Sequence, residues 1–451
     1  MAKADRDAVL RARKRVPPPG GALLEDTEKM KQKHHRMLCA FCALVILVST
    51  VFPTAAFAEQ PVDAAAAEQT LTRADAAGMQ QADAAVTALT ESEQYQEMDT
   101  DARKDAALAQ LDTLAAKGLV EKDSIYTDEE NGMVSFRYPC GVLGGTEPED
   151  ETLDEENAET ETAASDHALS LQLPPDLGAE MQTSRAALLR RTENQAVEKF
   201  GTAVIYYAFD NTINSSRFPY YSYMQGFWSA LGLETKINIH VTVADLKKMG
   251  NYNVGVLSAH GSYYTYSYGR FLKRTRTEPI MLLTEESTFG KDLRYGFDLL
   301  AHRVIKVNGM YCVTSDFFRN AYKGGKLSNT IVYSETCEFL GVDGSEDNAM
   351  ADALLSGGAQ AVIGYVNNVY TVYSRSMLWD TINHLIMGQN VGQALEHAKA
   401  TYGEDDLIWY HAQGGRRPHA AASYAVLYGN SQAALHVPES NRSMFSADLA
   451  A

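Results

Sequence analysis

From residue 203 onward the chain alternates between two patterns of apolar and polar positions. Short apolar runs rich in β-branched and aromatic residues predict strands: AVIYYAFD (203–210), KINIHVTV (236–243) and NVGVLSAHG (253–261). Between them, PYYSYMQGFWSALGL (219–233) and ADLKKM (244–249) predict helices. NTIVYSETC (329–337) predicts another strand, and its apolar part stops at Ser334. Beyond it come helix NAMADALLSGG, strand AQAVIGYV, helices MLWDTINHLIMG and VGQALEHAKATYG, and a closing strand SYAVLYGN. Strands that alternate with helices predict a mostly parallel sheet covered on both faces, an α/β sandwich. Ligand chemistry in such sheets gathers beyond the C-terminal strand ends. His260 and Cys337 each stand at such an end.

Upstream the pattern differs. Residues 59–92, rich in Ala, Gln, Asp and Glu, predict a helical or disordered segment. In DARKDAALAQLDTLAAKGLV (101–120), Ala107, Leu108, Leu111 and Leu114 share one helical face, and Gly118 is placed as a C-cap. Asn131-Gly132 then divides two alternating runs, a hairpin signal. Residues 93–145 therefore read as a small helix-plus-hairpin module and a candidate propeptide. An acidic linker (146–185) separates it from the α/β domain (186–440), and a tail (441–451) follows.

The formal charge of -18 changes the picture only through its location. Much of it lies in EPEDETLDEENAETETAASD (147–166), a run without a basic residue, which is the composition of solvated linker. Nucleic acid is excluded as an expected partner, and so is an anionic membrane surface.

At the N-terminus, basic residues Lys29 to Arg36 precede the uncharged run MLCAFCALVILVSTVFPTAAFA (37–58), which ends in the small-residue site Ala56-Phe57-Ala58. Residues 1–58 read as a secretory signal with a long n-region. Left uncleaved, the same run is long enough to anchor the chain in a bilayer, the one membrane contact expected. Either way the rest of the protein is expected outside the cell. Cys39 and Cys42 lie in the signal, which leaves Cys140, Cys312 and Cys337. An odd number in an oxidising compartment leaves at least one thiol without an internal partner, and Cys337 is the expected one. Cys312, within the apolar stretch VNGMYCV, is expected in the core.

His260 and Cys337 share one sheet edge, and Gly261 leaves a backbone N–H open where a reacting carbonyl must approach. VLSAHG and IVYSETC, in that order, resemble the two catalytic motifs of the caspase-like (clan CD) cysteine peptidases. The text downstream, NAMADALLSGGAQAVIGYVNNV, HLIMGQNVGQALEHAKATYG and YAVLYGN, is similar to the bacterial gingipain, clostripain and CHAT-domain members. Asn430 after Gly429 departs from the gingipain-like pattern, which more often has Asp there. The resemblance spans roughly residues 203–437 and implies a caspase-like three-layer α/β/α fold. It implies Cys337 as nucleophile, His260 as general acid, and the N–H groups of Gly261 and Cys337 as oxyanion hole. It assigns no third catalytic residue.

Glu335 lies two residues before the nucleophile, so its side chain is expected on the same side of the strand as that of Cys337. By resemblance it lines the S1 pocket and favours Arg or Lys at P1, with Asn as the second candidate; the other reading is that it pairs with an internal cation. Arg190 and Arg191, before the first strand, are the expected self-processing site, with Arg270 to Arg276 in the basic stretch GRFLKRTRTEP (269–279) as the second candidate, against the alternative that Arg190 and Arg191 are polar helix positions. No cofactor or catalytic metal is expected. Asp343, Glu346 and Asp347 are read as a capping loop, with a structural calcium as the alternative. The expected partner is a polypeptide substrate. A caspase-like domain retained as a catalytically idle binding or scaffold module at the cell surface is the competing function.

Overall fold

A computed structural model of the chain describes residues 70–128, 132–147, 197–209, 220–268, 273–407 and 422–445. The signal run, Asn131, the acidic linker, Arg190 and Arg191 lie outside the described residues. No helix among the described residues is long and apolar enough to cross a membrane.

Helix α1 (Arg73–Thr90) begins with a capping box: the Thr72 hydroxyl accepts from the Asp75 N–H, and the Asp75 carboxylate accepts from the Thr72 N–H. Helix α2 (Thr100–Ala116) buries Ala107, Leu111 and Leu114. Gly118, at φ 71, ends it, and the Leu119 N–H reaches back to the Leu114 carbonyl. The expected hairpin follows as β1 (Tyr126–Thr127) paired antiparallel with β2 (Val134–Arg137). Strand β3 (Leu143–Thr146) pairs in turn with β2.

The α/β part opens with β4 (Gly201–Tyr207), α3 (Tyr220–Ala230), β5 (Leu233–Asn238), the short α4 (Val243–Leu246) and β6 (Val254–Ser258). The chain then enters a long antiparallel pair, β7 (Gly261–Tyr268) and β8 (Arg274–Glu286). Helix α5 (Phe289–Leu300) leads into β9 (Val304–Val307) and β10 (Met310–Thr314). These two turn about Asn308-Gly309, both at positive φ. Helix α6 (Ser315–Ala321) precedes β11 (Ile331–Ser334); β12 (Gly341–Val342) and β13 (Ser345–Glu346) make a small hairpin. Helix α7 (Ala349–Ser356), β14 (Ala361–Val366), α8 (Thr371–Ile386), α9 (Val391–Tyr402) and β15 (Tyr424–Gly429) complete the main elements.

Six strands form the main sheet in the order β15-β14-β11-β6-β4-β5. Five are parallel, and only β15 runs against its neighbour. Successive residues serve opposite faces: Val204, Tyr206, Leu257, Val332 and Val362 pack into one apolar cluster, and Ile205, Tyr207, Val256, Tyr333 and Ile363 into another. The second cluster takes in Trp228 of α3, Trp379 of α8 and Leu395 of α9. The first takes in Leu246 of α4, Phe318 of α6 and Leu354 of α7, together with Met281 and Val313 of the antiparallel strands. The protein is thus a mixed α/β fold with a helix-covered, mostly parallel sheet.

A second, seven-stranded sheet, β1-β2-β3-β9-β10-β8-β7, corrects the expected domain layout. Strand β3 pairs in parallel with β9, Gly144 opposite Lys306 and Gly145 opposite Val307. The described residues of 93–145 are therefore part of the same packed unit as the α/β part. A buried charge network repeats the connection. Lys306 on β9 meets Asp83 of α1 and Asp292 of α5; the hydroxyl of Tyr138, just past β2, donates to Asp83, and that of Tyr311 donates to Asp292 at 2.8 Å. With one cation between two carboxylates and two tyrosines donating, each buried charge has a partner.

In the basic stretch after His260, residues 269–272 lie outside the described residues; Arg274 onward belongs to β8, and Arg276 binds Glu278 and Asp316. The loop read as a capping or calcium loop is the β12–β13 hairpin, turning at Asp343 (φ 52) and Gly344 (φ 72). Asp347 accepts from the Ala349 N–H at the start of α7 and from the Tyr263 hydroxyl, and Glu346 from the Tyr428 hydroxyl. These bonds match the capping reading, and among the described residues the three carboxylates form no ligand group.

Candidate active site

Strands β6 and β11 are direct neighbours in parallel register, Val254 opposite Ile331 through Leu257 opposite Ser334. The Glu335 N–H continues the ladder by donating to the Leu257 carbonyl at 2.8 Å. Extending this register by the same count sets His260 opposite Cys337, both just beyond the C-terminal edge. Cys337 is partly buried, packs against the same apolar cluster as Tyr333, and directs its Sγ toward the Val369 carbonyl at 3.8 Å. The imidazole of His260 is half-buried and meets the Phe209 ring edge-to-face, with centroids 4.5 Å apart.

His260 is also where the chain passes from one sheet into the other, since β6 ends at Ser258 and β7 begins at Gly261. Its carbonyl accepts from the Leu282 N–H at 2.9 Å, which pins the histidine backbone to β8. Gly261 has no room for a side chain. A Cβ there would stand 2.2 Å from the Cys337 carbonyl oxygen and 2.3 Å from Cγ2 of the buried Thr336. The absence of a Cβ thus lets the His260-Gly261 turn lie directly on the backbone of Thr336-Cys337.

Glu335 leaves the strand on the Cys337 side, as the period of two requires, and is only 5% exposed. Its carboxylate accepts from the hydroxyl of Tyr221 at 3.0 Å and from that of Ser374 at 3.3 Å; the Tyr221 hydroxyl also lies 3.0 Å from that of Ser258. An internal cation is at hand in the buried Arg375, whose guanidinium lies over the Tyr220 ring. Burial pushes Glu335 up to about 7, against the opposing pull of Arg375 and of the Tyr221, Ser258 and Ser374 hydroxyls.

The folded carboxyl therefore keeps its proton over a pH range in which the unfolded one, near 4.5, has lost it. Its contribution to stability is complete below pH 4.5 and is lost as pH rises through 7. Glu335→Gln cannot lose that proton. Relative to wild type, the variant should gain about 3 kcal/mol of stability between pH 4.5 and pH 8, from a shift of roughly 2.5 units. Denaturant titrations of both proteins at the two pH values measure this, and a pH-independent difference would contradict it.

The other cysteines behave as spacers of the core. Cys312 is fully buried on β10, where burial raises its thiol far above the ordinary value, and Cys140 is raised by burial as well. None of the three described cysteines is in a disulfide. One group of potential ligands was missed in the sequence: Asp380 and His384 on α8, with His397 on α9. The spacing of four in WDTINH puts the first two on one helical face, a signal that was legible. No protein-family model and no curated protein matches the chain.

Proposed function

We propose that the protein is a secreted cysteine endopeptidase of the caspase-like type, working through Cys337 and His260. The observation that carries this reading is the joining of the two strand ends: neighbouring parallel strands deliver a histidine and a thiol to one edge, and Gly261 closes directly on the cysteine backbone. Acyl transfer needs a thiolate, a proton donor for the leaving amine, and N–H groups aimed at the developing oxyanion. The Cys337 thiolate attacks the scissile carbonyl, and the N–H groups of Gly261 and Cys337 receive the oxyanion. His260 protonates the departing amine, and water then hydrolyses the thioester to release the acid and the thiol. Labelling by a thiol-directed acyloxymethyl ketone tests the assignment: selective modification of Cys337 that depends on His260 supports the enzyme, and a thiol of ordinary reactivity supports the scaffold reading.

Substrate preference is the finer part of the proposal. Enclosed by the Tyr221 and Ser374 hydroxyls and facing Arg375, Glu335 reads a P1 side chain only by exchanging one of these partners for it. A P1 Arg or Lys supplies the cation that makes such an exchange favourable. A positional P1 peptide library should therefore show cleavage after Arg or Lys. Glu335→Gln should weaken that cleavage by at least about tenfold more than it weakens labelling of Cys337. A preference for Asn, or equal loss of cleavage and labelling, would make Glu335 a residue that holds the site in shape and not one that reads the substrate. Self-processing at Arg190 or Arg191 belongs to the same basic preference.

A further inference from the structure

The geometry points to a binding site for a divalent transition-metal ion, of the zinc class, formed by Asp380, His384 and His397 between α8 and α9. The three donors come together because α8 and α9 pack side by side. Asp380 and His384 are one turn apart on the first helix, and His397 is carried by the second. His397 Nδ1 lies 2.7 Å from Asp380 Oδ2, and His384 Nε2 lies 3.7 Å from Asp380 Oδ1. One donor atom from each residue lies within 4.8 Å of the other two. Ligands held at about 2.0–2.1 Å around a tetrahedral ion stand roughly 3.3 Å apart. The two measured separations bracket that value; the His384 and His397 rings lie with centroids 3.7 Å apart and planes at 33°, so closing the set on one ion requires both rings to turn until their in-plane lone pairs meet.

Donor chemistry supports the same class. Two imidazoles and one carboxylate suit zinc and its first-row neighbours, whereas calcium and magnesium favour all-oxygen sets. His384 is 5% exposed, and its two ring nitrogens face different groups: Nε2 is turned to Asp380, and the side chain of Gln389 adjoins the ring as a hydrogen-bond partner. A partner at the other ring nitrogen is what fixes the orientation of a ligating imidazole. His397, whose side chain is 46% exposed, borders an open depression of about 540 Å³ that Gln393, Glu396 and Gln432 also line. An ion can enter there, and water can fill a fourth position.

The site is separate from the proposed dyad. His384 lies 13 residues along α8 from Thr371, whose end of the helix adjoins Val369 and Cys337; at 1.5 Å per residue this is about 20 Å. A metal here would tie α8 to α9 on the far side of the sheet edge.

The test uses full-length protein carrying Cys337→Ala with Cys39 and Cys42 replaced by Ser, which removes the thiols best able to compete for metal, leaves Cys140 and the buried Cys312 the same in the parent and all variants, and makes the result independent of any peptidase activity. Isothermal titration with zinc chloride should show one equivalent bound, and cobalt should give visible absorption bands of a nitrogen- and oxygen-ligated ion. His397→Ala, at an accessible position, and Asp380→Asn should each weaken zinc binding by at least about tenfold, and zinc should raise the thermal midpoint of the parent but not of these variants. Absence of saturable binding, or unchanged binding in both variants, would overturn the site and leave the three residues as a hydrogen-bonded clamp between helices.

Discussion

Cys337→Ala should abolish peptide cleavage, and His260→Ala should lower it by on the order of a hundredfold or more. The difference follows from their roles. Without the sulfur no thioester can form. Without the imidazole the thiol survives but the amine must leave without a positioned acid. Cleavage of a peptide mixture by wild type and both variants measures the effect, with circular dichroism to verify the fold. Cys337 is only partly buried, so its truncation to Ala should leave the fold intact. Cleavage retained in Cys337→Ala would sink the peptidase assignment.

Gly261→Ala should be nearly as damaging although it removes no reactive group. The added methyl would sit 2.2 Å from the Cys337 carbonyl oxygen and 2.3 Å from the Thr336 methyl, where carbon contacts normally settle at about 3.5–4.0 Å. Neither neighbour is the free end of a flexible side chain, so the two strand ends must separate. Overpacking of this sort typically costs about 1–3 kcal/mol of stability. A displacement of about 1 Å between His260 and Cys337 is enough for a loss of roughly a hundredfold in rate. The expected outcome is a folded variant with a lowered thermal midpoint and cleavage reduced by that order. Wild-type activity in Gly261→Ala would mean that the histidine turn does not rest on the cysteine backbone.

How much of this was legible depended on what each strand faces. The parallel strands are buried on both faces, so β4, β6, β11 and β14 read as continuous apolar runs and were found; β5 was found a few residues late, because LETKIN alternates. The antiparallel sheet was harder. Strand β7 is GSYYTYSY, polar by composition although its middle residues are buried, and β8 begins with the charged RTRTE and contains Pro279, which cannot donate to a ladder. Asn308-Gly309 at the β9–β10 turn is the same dipeptide as Asn131-Gly132 of the first hairpin, but it went unread inside the apolar stretch VNGMYCV. That β3 would pair with β9, some 160 residues away, has no local signal at all. The same contrast holds for function. The candidates His260, Gly261 and Cys337 stand out in the sequence because they come just after apolar strand runs, whereas Arg375 beside Glu335 and His397 beside Asp380 are brought in by helix packing that no spacing records.

The pairing of β3 with β9, and the seat of Lys306 between Asp83 and Asp292, bear on what maturation of this chain can release. A break between Glu147 and residue 197 would part the polypeptide without parting the sheet. The N-terminal piece would keep its place as an intrinsic light chain, its strands continuing those of the larger fragment and its Asp83 still neutralising a lysine of the larger fragment. Such a product would migrate as two bands under denaturing conditions and as one particle otherwise. Stripping the smaller fragment away would expose the unpaired edge of β9 and leave Lys306 with one carboxylate fewer, so a nick in the chain and the removal of its N-terminal segment would be different events for this fold, and the shared sheet favours retention of the segment.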